Sequence, residues 1–187
     1  MAADTPLKTR LTLTEFHELL KQRGHDKGIE LIDGAVWETE LTEQRGVLLA
    51  HIGGQLGNYL KQAKRGRIAV SVRIELPDDL INSRLPDLSL FLSPLRPVMP
   101  TFLPYLPDII VEIKTLDEPR SIFRSKMDYY LERGCKEVWL VYPSRRKIEI
   151  LTLGDSCLYS QADTLTSEHL PDFSLDVGEL FNYEDFE

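Results

Sequence analysis

The sequence predicts an α/β layered fold. Three observations carry this prediction. Segments with apolar residues at helical spacing alternate with short β-branched runs. In the middle of the chain the order is helix, three strands, helix, strand. One run, "EVWLVY" (137–142), is apolar on both faces, as a central strand must be. A helix and a hairpin precede this core. With 187 residues, the chain suits a single domain, 1–187, with a sizeable core.

The elements follow in order. "LTLTEFHELLKQRG" (11–24) predicts a helix, with Thr12 and Glu15 at capping-box spacing and Gly24 as its stop. "GIELIDGAVWETE" (28–40) predicts a hairpin turning at Asp33-Gly34. From Gly46 to Lys64, Leu48, Ile52, Leu56, Tyr59 and Leu60 recur at helical spacing. Gly53, Gly54 and Gly57 weaken that helix or permit close packing. "RIAVSVRIEL" (67–76) alternates and predicts a half-buried strand with Ile68, Val70, Val72, Ile74 and Leu76 on one face. "RLPDLSLF" and "DIIVEIKT" predict the next two strands. Pro119 opens a helix that closes at Gly134. "EVWLVY" and "KIEILTL" add two more strands. The five prolines of "SPLRPVMPTFLPYLPD" (93–108) stiffen a loop between core strands.

Charge and composition exclude several classes. No apolar run approaches the length of a membrane helix, and "MAADTPLKTR" lacks a signal-peptide core, so a cytoplasmic protein is expected. Cys135 and Cys157 have no metal-type or disulfide-framework spacing. The net charge is −8, but nine acids and no Lys or Arg lie after Leu151, leaving residues 1–151 at about +1. "KQAKRGR" (61–67) and "SRRK" (144–147) are small basic clusters, either phosphate contacts or solvated surface. The apolar anchors of "LPDFSLDVGELF" (170–181) predict that this acidic segment packs on the domain, with "NYEDFE" loose.

The chemistry gathers at "LPDIIVEIKT" (106–115). Residues two apart on a strand share a face, so Asp108, Ile110, Glu112 and Lys114 point the same way. A covered carboxylate and ammonium need a partner or a job. Hard carboxylate oxygens suit Mg²⁺ (or Mn²⁺), which can activate water and stabilise charge on a phosphodiester. Asp108 is about 13 Å from Glu112 along the strand, too far to share an ion. Asp87 in "RLPDLSLF" can meet Glu112 if the two strands are neighbours, so Asp87 and Glu112 are the expected metal ligands. Lys114 is the expected group orienting the attacking water.

Pro86-Asp87, twenty-four intervening residues and Glu112-Ile113-Lys114 resemble the PD-(D/E)XK nuclease signature. "LTLTEFHELL", "IELIDGAVWE", "RLPDLSLF", "PDIIVEIKT", "KMDYYLERGCKEVWLVYP" and "LPDFSLDVGELF" occur in the order seen in the Uma-two family of putative restriction endonucleases, over about residues 10–181. The resemblance implies a restriction-endonuclease-like fold, a central mixed β-sheet flanked by helices, and Mg²⁺-dependent cleavage of DNA. Two positions depart from the family pattern: Ile122 replaces an acid four before Lys126, and Tyr142-Pro143 replaces an Asp-Pro pair. Conversely, many members lack a lysine two after the glutamate, and here it is Lys114.

Further candidates carry two readings each. Glu30 matches a recurrent family glutamate and is either a further metal carboxylate or a solvent-facing hairpin residue. His51, at helical spacing with Leu48 and Ile52, is packed or catalytic. Lys126 shares a helix side with Phe123 and Tyr130 and is a snorkelling lysine or an active-site group. A homodimer is expected, because duplex DNA has two-fold symmetry. The alternative to a nuclease is a non-catalytic module of the same fold that binds nucleic acid or a protein partner.

Overall fold

The computed structural model describes residues 10–92, 94, 96–116 and 118–182. The first helix, α1 (Leu13–Arg23), starts at a reciprocal Thr12–Glu15 capping box and stops at Gly24, whose left-handed φ of 72° suits glycine. Strands β1 (Ile29–Ile32) and β2 (Ala35–Glu38) form the hairpin, with Asp33 and Gly34 both at positive φ in the turn. The long helix α2 (Glu43–Gln62) is capped by Thr42. Strands β3 (Arg67–Val70), β4 (Leu88–Phe91) and β5 (Ile109–Ile113) follow, then α3 (Arg120–Glu132) behind Pro119, then β6 (Glu137–Tyr142). The chain continues through β7 (Lys147–Thr152), β8 (Asp155–Tyr159), β9 (Thr164–Ser167), β10 (Leu170–Asp176) and the short α4 (Val177–Leu180).

Six strands make the central sheet, in the order β3-β4-β5-β6-β7-β8. Only β5 and β6 pair in parallel, so the sheet is mixed, and α3 is the crossover between them. The two faces are packed by different elements. Leu48, Ile52, Leu56 and Leu60 of α2 cover Leu88, Leu90, Ile109, Val111 and Ile113. Phe123, Met127, Tyr130 and Leu131 of α3 cover Ile110, Val138 and Leu140 on the other face. Strand β6 is buried along nearly its whole length, as its two-sided apolar run predicts. A Cβ would meet the Leu88 side chain at 3.6 Å from Gly53 and the Ile68 side chain at 3.8 Å from Gly57, both ordinary contact distances, and would meet nothing from Gly54, so the packing of α2 on the sheet does not require these glycines.

One reading of the sequence needs correction. "RIAVSVRIEL" is not one strand. Ser71 adopts a left-handed φ of 49°, its N–H turns to Asp87 O, and pairing with β4 stops at Val70. The supposed common face therefore splits: Val70 is 55% exposed, whereas Ile74 is buried and bridges Arg84 and Leu103. The polar residues of this stretch are engaged by other elements. Arg73 donates to Ser83 and Ile29 O, and Glu75 accepts from Ser83 beside His17.

The acidic C-terminal segment packs as its apolar anchors predict. Leu170, Phe173, Leu175, Val177, Leu180 and Phe181 are buried on the α2 face of the sheet. The hairpins β7–β8 and β9–β10 give this segment more strand structure than the sequence pattern indicates. The expected looseness of "NYEDFE" falls, beyond Asn182, outside the described residues.

The two thiols differ sharply. Cys157 is exposed, whereas Cys135 is buried and burial pushes its thiol up to about 12. A thiol reagent at about pH 8 should therefore label only Cys157 in the folded protein, and Cys135 only after unfolding. Equal native labelling rates would contradict this packing.

Candidate active site

The backbone register creates the site. Leu88 pairs with Val111 in the antiparallel β4–β5 ladder, so the next pair outward places Asp87 opposite Glu112. Side chains directly opposite share a face. Glu112 alternates with Ile110 and so faces α3, not α2. Both acids are 1% exposed. Asp108 lies elsewhere, at the entry to β5, where it accepts from Leu92 N–H and pairs with Lys136.

Each carboxylate has a cationic partner. Asp87 Oδ1 accepts from Arg45 Nη2 at 2.7 Å and Nε at 2.8 Å, and its Oδ2 accepts from Ile113 N–H at 2.7 Å. Arg45 comes from the first turn of α2. Glu112 Oε2 lies 3.2 Å from Lys126 Nζ, and its Oε1 accepts from the Tyr130 hydroxyl at 2.9 Å. Lys126 and Tyr130 sit one turn apart on α3, the side-chain pairing that helix geometry favours.

Lys126 is the centre of this cluster. Its ammonium lies 2.8 Å from Glu30, 3.2 Å from Glu112 and 3.6 Å from Glu118, and the residue is 2% exposed. Glu30 is therefore not a solvent-facing hairpin residue. Its other oxygen accepts from Leu85 N–H, which ties the hairpin to the chain entering β4. Nor does Lys126 snorkel, since its charge is fully enclosed.

The proton affinities divide the acids. Burial raises Glu30, but Lys126 beside it and the Leu85 N–H outweigh burial, so its pKa falls below the usual range. Glu112 is pushed up to about 8, first by burial, with Lys126 opposing and Glu30, Asp87 and Glu118 adding repulsion. Glu118 is raised by burial too. Lys126 resists its own burial because the three carboxylates hold its proton, and its pKa rises. Glu30 is thus the ionised partner of Lys126, and Glu112 is the carboxyl that keeps a proton near neutrality.

Two expected site residues lie apart from this cluster. The Lys114 ammonium turns to Thr115 O at 2.8 Å and Glu118 O at 2.9 Å, beyond the end of β5, rather than toward Glu112. His51 is exposed on α2, beside Gln55, Leu175 and Glu179, on the opposite side of the sheet from α3. It is neither packed nor close to the carboxylates. Conversely, Arg45, Glu118 and Tyr130 belong to the cluster without having been singled out by the sequence. Tyr130 carried a signal, its spacing from Lys126. Arg45 and Glu118 carried none, because each arrives from a loop or helix start whose position depends on tertiary packing.

Residues 13–178 match the Uma2 (Uma-two) family, described as putative restriction endonucleases. The chain belongs to this family. Among solved structures, a putative nuclease belonging to DUF820 from Anabaena variabilis superposes with a TM-score of 0.78 at 18% identity, over 92% of this chain and 98% of that one. At that identity the likeness establishes the fold, a mixed sheet flanked by helices. No curated protein matches. Among the described residues, no helix is long and apolar enough to cross a membrane.

The enclosed cluster makes a firm stability prediction for this Uma2 protein. Lys126→Met keeps the volume and removes the charge, stranding Glu30, Glu112 and Glu118 together. The loss should be about 3–5 kcal/mol, typical of a buried ion pair robbed of one partner. Stranded carboxyls have folded pKa values above their unfolded ones, so they favour folding at low pH and lose that contribution as pH rises. Urea unfolding of the variant should accordingly show a large deficit at about pH 8 that shrinks toward about pH 5. A deficit under about 1 kcal/mol at both pH values would mean that the ammonium does not organise the cluster.

Proposed function

We propose that this Uma2 protein is a metal-dependent endonuclease that hydrolyses phosphodiester bonds in DNA. The single observation that carries the reading is that Asp87 and Glu112, both buried, stand next to each other on neighbouring strands, just beyond the last Leu88–Val111 pair of the ladder. Their donor chemistry fits Mg²⁺ or Mn²⁺. Such ions take hard oxygen ligands and often bind through only one or two carboxylates, the rest being water and phosphate oxygens. Asp87 and Glu112 would hold the ion, with Glu30 as a further carboxylate close to Glu112. When bound, the ion would polarise the phosphoryl oxygen and lower the pKa of a coordinated water.

The chain's own residues supply the remainder. Lys126 holds Glu30 and Glu112 in place and offsets their repulsion, keeping a buried acidic site folded. The Tyr130 hydroxyl fixes one Glu112 oxygen, leaving the carboxyl a defined orientation. Lys114, at the exposed end of β5, is free to turn from its backbone carbonyls toward a phosphate or water. Cleavage of both strands of a duplex calls for two such sites, which supports a homodimer.

Arg45 stands where a metal would compete, since it occupies an Asp87 oxygen. Arg45→Ala should destabilise the protein by about 3 kcal/mol through the bare Asp87 carboxylate. Mg²⁺ should then raise the Tm of this variant more than that of the unaltered protein, by occupying the vacated place. Equal shifts would exclude Asp87 as a ligand.

The non-catalytic reading also has an observation in its favour. Both carboxylates are already paired with cationic side chains, and the described residues include no preformed group of three acids, histidines or cysteines fit for a metal. Plasmid and oligonucleotide assays with Mg²⁺ or Mn²⁺ separate the two. Cleavage that disappears in Glu112→Ala supports the nuclease. Absence of cleavage with either ion, in protein that still binds DNA, supports the binding module.

A further inference from the structure

A cleft of about 600 Å³ opens beside the end of β5, between the start of α2, the β5–α3 connection and the β6–β7 turn. Five cationic residues line it: Arg45, Lys114, Arg120, Arg145 and Lys147. Two acids oppose them, and one of these, Glu149, is already engaged by the Tyr142 hydroxyl and by Arg124. Arg45 and Lys114 are tied to Asp87 and to backbone carbonyls. Among the described residues, Arg120, Arg145 and Lys147 make no ion pair. Unpaired cations around a concave surface create a field for a polyanion.

A second observation points to the same ligand. Thr115 lines the cleft and is 7% exposed, yet its hydroxyl has no hydrogen-bond partner among the described residues. Buried hydroxyls are normally satisfied, so this orphan, itself closed to solvent in the wall of a cationic cleft, is a donor that a bound acceptor would draw outward. The acids after Leu151 do not line this cleft among the described residues, although they dominate the net charge. Charge is thus sorted so that the bulk of the acid lies away from the cleft.

We infer that this cleft is the seat of the nucleic-acid backbone. The Thr115 hydroxyl would donate to a phosphate oxygen at the floor, Arg120, Arg145 and Lys147 would contact phosphates at the rim, and Arg45 connects the cleft to Asp87. The naming of the polyanion as DNA rests on the nuclease reading above. The positioning of the phosphates rests on the cleft itself. The basic run 144–147 then acquires a role through the β6–β7 turn, which brings Arg145 and Lys147 across from Arg120.

Fluorescence anisotropy with a short labelled DNA duplex in EDTA tests this without any catalytic step. The triple variant Arg120→Ala/Arg145→Ala/Lys147→Ala should bind roughly ten-fold more weakly or worse, with the slope of log K against log salt reduced by roughly 2–3. Thr115→Val should weaken binding about ten-fold while leaving unfolding midpoints unchanged or raised, since it deletes an unsatisfied hydroxyl. Lys61→Ala/Lys64→Ala/Arg65→Ala, in the other basic cluster, should alter neither affinity nor slope. If the cleft variants bind as the unaltered protein does, or if the 61–65 variant loses as much, the inference is overturned and the nuclease reading is untouched. If the cleft variants lose affinity but no metal supports cleavage, the cleft assignment stands and the nuclease reading falls.

Discussion

The structure turns on one constraint: an ammonium with almost no access to water must be matched by carboxylates. Lys126 can be buried only because Glu30, Glu112 and Glu118 surround it, and those acids can be buried together only because Lys126 is there. The cluster joins the N-terminal hairpin, the middle of the sheet, the β5–α3 connection and α3. Four elements distant in sequence are thereby held to a common point. Such a cluster is a poor way to gain stability, since apolar residues of like volume do as well or better. Its presence asks for a chemical reason, and the Asp87–Glu112 pair next to it supplies one.

The electrostatic arrangement is asymmetric in a way that suits a cation site. Asp87 is neutralised by a single guanidinium from the start of α2, a side chain that retains a path to the cleft. Glu112 keeps a proton near neutrality because burial, with repulsion from Glu30, Asp87 and Glu118 added, outweighs its share of Lys126. A divalent ion would add the missing positive charge and release that proton, as metal binding to carboxylates generally does. The cleft extends outward from this point along residues of increasing exposure, from Thr115 at the floor to Arg145 at the rim.

Much of this was legible in the sequence, and the failures have physical causes. The capping box at Thr12, the Asp33-Gly34 turn and the Pro119 helix start are local chemistry, and each lies where its residues place it. Period-two patterning marks β4 and β5 as strands, and their pairing meets the condition under which Asp87 can approach Glu112. "RIAVSVRIEL" misled because its alternation is genuine, while Ser71 leaves the sheet at an edge where only one neighbour holds it. Lys114 does not sit beside Glu112 as strand alternation suggests, because β5 ends at Ile113 and the Lys114 side chain turns to the carbonyls of Thr115 and Glu118. Arg45 and Glu118 could not be found by spacing at all, because their approach is fixed by how α2 and the β5–α3 connection pack.

The central claim is that Asp87 and Glu112 form a divalent-cation site. A crystal of the full chain soaked in Mn²⁺, with anomalous differences measured, addresses it most directly. The account predicts an anomalous peak between the two carboxylates, with the Arg45 guanidinium moved off Asp87. Manganese bound only at surface acids, with Arg45 still paired to Asp87 at saturating ion, would contradict it.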